Sequence, residues 1–154
     1  MVNDAAGISV ITFVVAVAIS IGYYQFVYIP EANAKPVLPE EVLEPAQTTK
    51  VNIAEGASLP TNPQNFVPKD VRAVIGLSNK VSWTNDDVTG HTVTSDSGYV
   101  DKISGDFNSI TQLGSVIKPG ETFDFTFTAV GDYPYHCEPH PHMKGTVHLV
   151  ENFA

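Results

Sequence analysis

The sequence is poor in cysteine and in positive charge. Its 154 residues include one cysteine, and 17 acidic residues outnumber 8 basic ones, which gives a formal net charge of −9. One cysteine excludes a disulfide within the chain, a four-cysteine zinc site and a cysteine-bound iron–sulfur cluster. The shortage of lysine and arginine argues against nucleic acid as a partner, because binding nucleic acid requires a basic face.

The sequence contains one apolar run that is long enough to span a bilayer. After a tail at residues 1–7, residues 8–29 contain no charged side chain. A helix of this length spans ~33 Å, which is enough for a bilayer core. Tyrosines near its far end suit the membrane interface, and Pro30 is expected to end the helix. These features predict one transmembrane signal-anchor helix.

Cleavage of this segment is the alternative to a permanent anchor. Ala32-Asn33-Ala34 fits the small-residue pattern of a signal-peptide cleavage site, so secretion after cleavage near Ala34 stays open. The missing basic residues before the run and its length favour the anchor. An acidic, proline-rich segment at residues 30–47 follows, and its composition predicts a semi-extended linker.

Residues 48–154 have the pattern of a β domain. Short alternating runs are separated by turn residues, and no helical period of useful length occurs. In residues 122–128, three phenylalanines share one face of a predicted strand and polar residues occupy the other. Seven or so such strands predict an antiparallel β-sandwich or a small Greek-key barrel.

Residues 135–145 concentrate the side chains that bind soft metals. They include the only cysteine, three of the five histidines and the only methionine besides the first residue. Cys137, His140 and Met143 follow one another at intervals of three. Thiolate, imidazole and thioether are the ligands of a mononuclear copper site. A further imidazole must come from elsewhere, and His91 is the candidate because it begins a predicted strand directly after a turn.

The other polar residues near this segment have simpler interpretations. His136 and His148 have the outward parity of their strands, so we expect neither to bind metal. His142 is expected on the surface, with a role in electron entry, proton coupling or small-molecule contact as the alternative. The pair Asp86 and Asp87 is interpreted as turn chemistry.

A set of short motifs is spread over roughly residues 48–151. They are Phe66-x-Pro68, Gly76, Val81-x-Trp83-x-Asn85, His91, Phe107-x-Ser109, Pro119-Gly120-Glu121, Phe125-x-Phe127 and Gly131-x-Tyr133-x-Tyr135-x-Cys137-x-x-His140-x-x-Met143-x-Gly145. This pattern resembles the cupredoxin family of plastocyanins and their relatives. The short Cys-x-x-His-x-x-Met loop is similar to that of amicyanins, and the tethered acidic form is similar to halocyanin-like proteins.

The resemblance implies an all-β, cupredoxin-like Greek-key β-sandwich after the N-terminal helix. It implies one type 1 copper ion that alternates between Cu(I) and Cu(II). His91, Cys137 and His140 would be the strong ligands and Met143 the axial one. The implied function is single-electron transfer between redox partner proteins, through the exposed edge of His140. The domain would lie on the extracytoplasmic side of the membrane.

Three features depart from the family pattern. Thr92 follows the first histidine where plastocyanins and amicyanins have asparagine, which predicts the loss of an amide that joins the two ligand loops. His142 stands where amicyanins have phenylalanine, next to Met143. No cysteine lies near the N-terminus, so the helix rather than a lipid is expected to tether the domain.

Two other functions remain open from the sequence. If Met143 is weakly bound or displaced, an open copper position would allow an enzyme that acts on nitric oxide, nitrite or a similar small molecule, with His142 as an acid or base. Copper storage or delivery is the third possibility. Methionine-rich and histidine-rich tracts, which would favour it, are absent from the sequence.

Overall fold

The computed structural model describes residues 4–32 and 37–152. The chain divides into two compact units, Met1–Pro36 and Val37–Ala154. The first is helical and the second is built mainly of β-strands.

The N-terminal unit is one helical stretch with a change of register. Helix α1 (Asp4–Tyr23) passes through a π-helical turn (Tyr24–Tyr28) into α2 (Ile29–Ala32). The helical stretch Ser9–Ala32 is apolar, and its most apolar part contains no buried residue. This stretch is long and apolar enough to cross a membrane, and a signal sequence would have the same properties.

The prediction that Pro30 ends this helix is wrong, because helical structure continues to Ala32. The N–H of Ile29 bonds the carbonyl of Tyr24, five residues back. Pro30 therefore lies in the first turn of α2, directly after the register change. A missing N–H is tolerated at the first turn of a helix.

The second unit is a sandwich of two four-stranded sheets, as the sequence predicts. Ten strands and two short helices make up the described part of this unit: α3 Glu40–Leu43, β1 Thr48–Ile53, β2 Phe66–Val67, β3 Asp70–Val74, β4 Lys80–Asn85, β5 Thr94–Ser95, β6 Val100–Asp101, β7 Gly105–Asp106, α4 Ser109–Leu113, β8 Thr122–Thr126, β9 Gly131–His136 and β10 Lys144–Val150. The first sheet has the order β2-β1-β4-β8 and the second β3-β10-β9-β5, with β6 and β7 as a separate hairpin.

The sheets are mixed, whereas the sequence predicts antiparallel ones. Strands β1 and β4 pair in parallel, and so do β3 and β10. The remaining named pairs are antiparallel. Side chains alternate with a period of two in both kinds of strand, so the sequence pattern does not reveal strand direction.

The core between the sheets is aromatic. Trp83 is fully buried at its centre, and its ring centroid lies 5.4 Å from that of Tyr135 and 5.6 Å from that of Phe107. The three phenylalanines of residues 122–128 are also buried, as their alternation predicts. Tyr135 directly precedes the segment 136–143, so the start of that segment is fixed by a residue of the core.

Different segments of the chain lie at the two ends of the sandwich. Strand β4 runs toward Asn85 and strand β9 runs toward Cys137, and both of these residues lie at the same end. At the opposite end, the side-chain amide of Asn79 donates to the carbonyls of Val42 and Phe127, each at 2.8 Å. The segment that composition predicts as a semi-extended linker therefore contains α3, which packs on the end of the sandwich remote from Cys137.

We expect Gly145→Ala to destabilise the sandwich by about 1–3 kcal/mol, the usual cost of overpacking. A Cβ at this position would lie 2.5 Å from Cζ of Tyr135 and 2.7 Å from the carbonyl oxygen of Lys69. Gly131→Ala is the matched control, since its nearest neighbour would lie at 3.4 Å. Urea denaturation measures both, and equal free energies of unfolding for the two variants would contradict the prediction.

Candidate metal centre

His91 is held by the turn that follows β4. The side-chain amide of Asn85 donates to the carbonyls of Thr89 (2.7 Å) and Ile117 (2.9 Å). His91 and Ile117 exchange two backbone hydrogen bonds, of 3.1 and 2.8 Å. The prediction that His91 begins a strand is wrong, because it forms an isolated bridge and β5 begins at Thr94. This bridge fixes the histidine backbone from both sides.

The second loop, residues 137–143, is closed by its own backbone. The N–H of His140 donates to Cys137 O at 3.2 Å, and that of Met143 donates to His140 O at 2.9 Å. The N–H of Cys137 in turn donates to Met143 O at 3.2 Å. Cys137 and Met143 are both fully buried, so the loop directs its sulfur-containing residues inward.

Tertiary structure brings His91, Cys137 and His140 together. One ligand atom from each lies within 4.8 Å of the others. Cys137 Sγ is 3.6 Å from His91 Nδ1 and 3.5 Å from His140 Nδ1. His91 and Cys137 are buried and His140 is partly exposed. Two imidazole nitrogens and one thiol sulfur at this spacing fit a single soft transition-metal ion.

Burial affects the protonation state of two of these donors. Burial raises the pKa of Cys137, although a hydrogen bond from Thr92 opposes the shift. Burial also lowers the pKa of His140, and the neighbouring His91 and His142 lower it further. At neutral pH the metal-free site thus holds a protonated thiol and a neutral His140 imidazole, and metal binding must release the thiol proton.

The other three histidines lie outside this cluster. The imidazole of His136 contacts the carboxylate of Asp96 on the surface. His148 Nδ1 lies 2.7 Å from the carboxylate of Asp132. His142 is exposed, and its Nε2 lies 3.1 Å from the carbonyl of Ala57. This contact joins the loop 137–143 to residues 54–65.

Thr92 joins the two loops, although it lacks the side-chain amide that the family pattern places there. Its hydroxyl accepts a 2.8 Å hydrogen bond from the N–H of Glu138. Its own N–H donates to Cys137 Sγ at 3.3 Å. A threonine hydroxyl therefore makes the connection for which an asparagine amide was expected, and the two loops remain joined at a fully buried residue.

Asp87, which the sequence indicates only as a turn residue, contacts His91 in the folded chain. Its side chain is buried, and Oδ2 lies 2.9 Å from His91 Nε2. Burial by itself would raise the pKa of this carboxyl, but hydrogen bonds from His91, Gly56, Thr89 and Val88 outweigh it, so the pKa lies well below its ordinary value. The only signal in the sequence is its position four residues before His91.

Fold and donor set together define the class of protein: a β-sandwich that holds one soft-ligand metal site between two loops at one end. Residues 48–150 match the model of the copper-binding plastocyanin/azurin family. The chain belongs to this family. It is a copper protein, and the cluster of His91, Cys137 and His140 fits the copper site.

Individual relatives agree with this assignment. Amicyanin-alpha of Methylorubrum extorquens is 33% identical over 103 residues, which cover 67% of this chain and 72% of that protein. Amicyanin of Paracoccus denitrificans is 30% identical over 73 residues, which cover 47% of this chain and half of that protein. The structure of a novel purple cupredoxin from Nitrosopumilus maritimus is similar with a TM-score of 0.53 and 26% identity, over 66% of this chain and 99% of that one. The predicted cupredoxin-like sandwich is confirmed.

We expect Thr92→Val to weaken the link between the two loops. Valine keeps the shape and the N–H that faces Cys137 but removes the acceptor for the Glu138 amide. A lost hydrogen bond of about 1 kcal/mol corresponds to roughly fivefold faster hydrogen exchange of that amide. Thr92→Ser retains the hydroxyl and serves as the control. Equal protection of the Glu138 amide in both variants would contradict the role assigned to the hydroxyl.

Proposed function

We propose that this protein transfers single electrons by means of a type 1 copper ion. The proposed ligands are His91, Cys137 and His140, with Met143 as the axial ligand. The observation that carries the proposal is the convergence of two imidazoles and one thiol within 4.8 Å, in two loops that are locked by hydrogen bonds. A thiolate with two histidines and a weak thioether is the ligand set of electron-transfer copper sites.

The protein's contribution to this function is rigidity. The bound ion supplies a one-electron couple between Cu(I) and Cu(II). His91 is held by its bridge to Ile117, and Cys137 is held by the bonds to Met143 and Thr92. A site that keeps its geometry in both redox states does not need to reorganise during transfer, and its surroundings already exclude water from Cys137.

His140 is the proposed point where electrons enter and leave. Of the three clustered residues, it alone is partly exposed. It also directly follows two exposed residues, Glu138 and Pro139. A partner protein that contacts this end of the sandwich would therefore approach the ion through the His140 ring.

We further propose that residues 8–29 anchor the protein in a membrane and that the copper domain lies on its outer face. The apolar helix supports the anchor. Helix α3 packs on the sandwich at the end remote from Cys137, so the chain enters the domain there and leaves the copper end open to redox partner proteins. In this proposal residues 48–154 are the functional domain and residues 30–47 connect it to the helix.

Substitution of the proposed thiolate ligand tests this function. The copper-loaded parent protein is expected to show an intense thiolate-to-copper absorption in the visible range, and Cys137→Ser should abolish it, because no other cysteine exists in the chain. His136→Ala is the control and should retain the band, since His136 contacts Asp96 instead of the cluster. Copper binding by the parent without this absorption would refute a type 1 site.

The enzyme alternative depends on access to the axial side of the ion. Met143 is fully buried and His142 is engaged with the carbonyl of Ala57, which favours a carrier with a closed site. Nitric oxide or nitrite should therefore leave the spectrum of the oxidised parent unchanged. Met143→Ala, which opens the axial position, is the positive control. A spectral change in the parent equal to that of the variant would instead support the enzyme.

A further inference from the structure

Asp87 places a buried negative charge directly behind one proposed copper ligand. Its side chain is 1% exposed, and its Oδ2 lies 2.9 Å from Nε2 of His91. The other ring nitrogen of His91, Nδ1, lies 3.6 Å from Cys137 Sγ. The imidazole thus stands between the carboxylate and the thiol, with one nitrogen facing each.

The carboxylate is oriented by its own set of donors. Oδ1 accepts from the N–H groups of Gly56 (3.0 Å) and Val88 (2.8 Å). Oδ2 accepts from the N–H of Ser58 (3.2 Å) and the hydroxyl of Thr89 (2.9 Å). Four donors besides His91 stabilise the ionised form and prevent the side chain from rotating, so the charge is present and fixed.

We propose that Asp87 is a positioning residue that selects the copper-binding tautomer of His91 and lowers the reduction potential of the copper site. This inference rests on the ligand assignment of the proposed function. This role goes beyond turn formation, for which the hydrogen bonds from backbone N–H groups to Asp87 would suffice.

The tautomer is determined by which ring nitrogen of His91 carries the single proton. A neutral imidazole carries one N–H, and a carboxylate can only accept a hydrogen bond. With Asp87 ionised, the proton resides on Nε2 and is donated to Oδ2. The lone pair of Nδ1 is then free to bind a metal ion between His91, Cys137 Sγ and His140 Nδ1. A carboxylate behind a ligating histidine fixes the ring and raises its basicity in this way.

The effect on the potential follows from charge. Cu(II) carries one more positive charge than Cu(I), and a nearby buried anion stabilises the more highly charged ion more strongly. The interaction is weakly screened, because Asp87 and His91 are both buried. The oxidised state is therefore favoured relative to the same site with a neutral residue at position 87.

Asp87→Asn removes the charge and keeps the shape, and Asp101→Asn is the matched control. As whole residues, Asp87 and Asp101 are equally buried. Asp101 likewise accepts several hydrogen bonds from backbone N–H groups and hydroxyls, namely those of Tyr99, Ile103, Ser104 and Thr128. None of these partners belongs to the copper site. A general effect of losing a buried carboxylate should therefore appear equally in both variants.

The experiment is a redox titration of the copper-loaded full-length protein in detergent, with the visible absorption recorded in parallel. In Asp87→Asn, Cu(II) should bind about tenfold more weakly relative to Cu(I), which raises the potential of this one-electron couple by ~59 mV. Asp101→Asn should leave the potential unchanged. An unchanged potential in Asp87→Asn, or the same shift in both variants, would overturn the inference while the proposed function stands. Absence of the thiolate absorption in the parent would refute the proposed function itself, and this inference with it.

A second measurement decides the matter if Asp87→Asn fails to fold or to bind copper. Nitrogen-15 NMR of the parent protein loaded with diamagnetic Cu(I) reports which ring nitrogen of His91 carries the proton. We expect a protonated Nε2 whose hydrogen exchanges slowly with solvent, together with a metal-bound Nδ1. A proton on Nδ1, or a rapidly exchanging Nε2 proton, would overturn the inference.

Discussion

The copper centre depends on one junction between two loops that lie far apart in the sequence. His91 and Cys137 are 46 residues apart, and Thr92 joins their loops through two hydrogen bonds, one to Cys137 Sγ and one from the N–H of Glu138. Both bonds come from a fully buried residue, where solvent cannot replace them. Any change that separates the loops would move the His91 imidazole away from the Cys137 thiol and break up the proposed set of ligands.

The aromatic core makes this junction rigid. Trp83 and Tyr135 meet edge to face beneath the site, and Tyr135 leads directly into His136 and Cys137. On the other side, Asn85 ends the strand that contains Trp83 and hydrogen-bonds the turn that presents His91. The proposed ligands Cys137 and His91 thus follow two core strands, Cys137 directly and His91 after a turn, and close packing of large rings limits how far either strand can move.

The candidate metal centre and helix α3 lie at opposite ends of the sandwich. The copper centre occupies one end, and Asn79 fastens helix α3 at the other. The chain carries a formal net charge of −9, and a charge of this sign favours encounters with basic surfaces. In the proposed function, a partner that docks at the copper end would therefore not displace α3.

Alternation, hydropathy and close spacing are local properties, so the sequence alone predicts the β-sandwich, the apolar helix and the short loop that contains Cys137, His140 and Met143. It also indicates His91 as the further imidazole, and the structure places His91 beside Cys137 and His140. Strand direction, the docking of α3 and the hydroxyl link of Thr92 emerge only in the tertiary structure. It alone revealed Asp87, whose role depends on N–H groups of residues 54–65 that meet the turn only in the folded chain. Such contacts join distant segments and leave no periodic or compositional pattern.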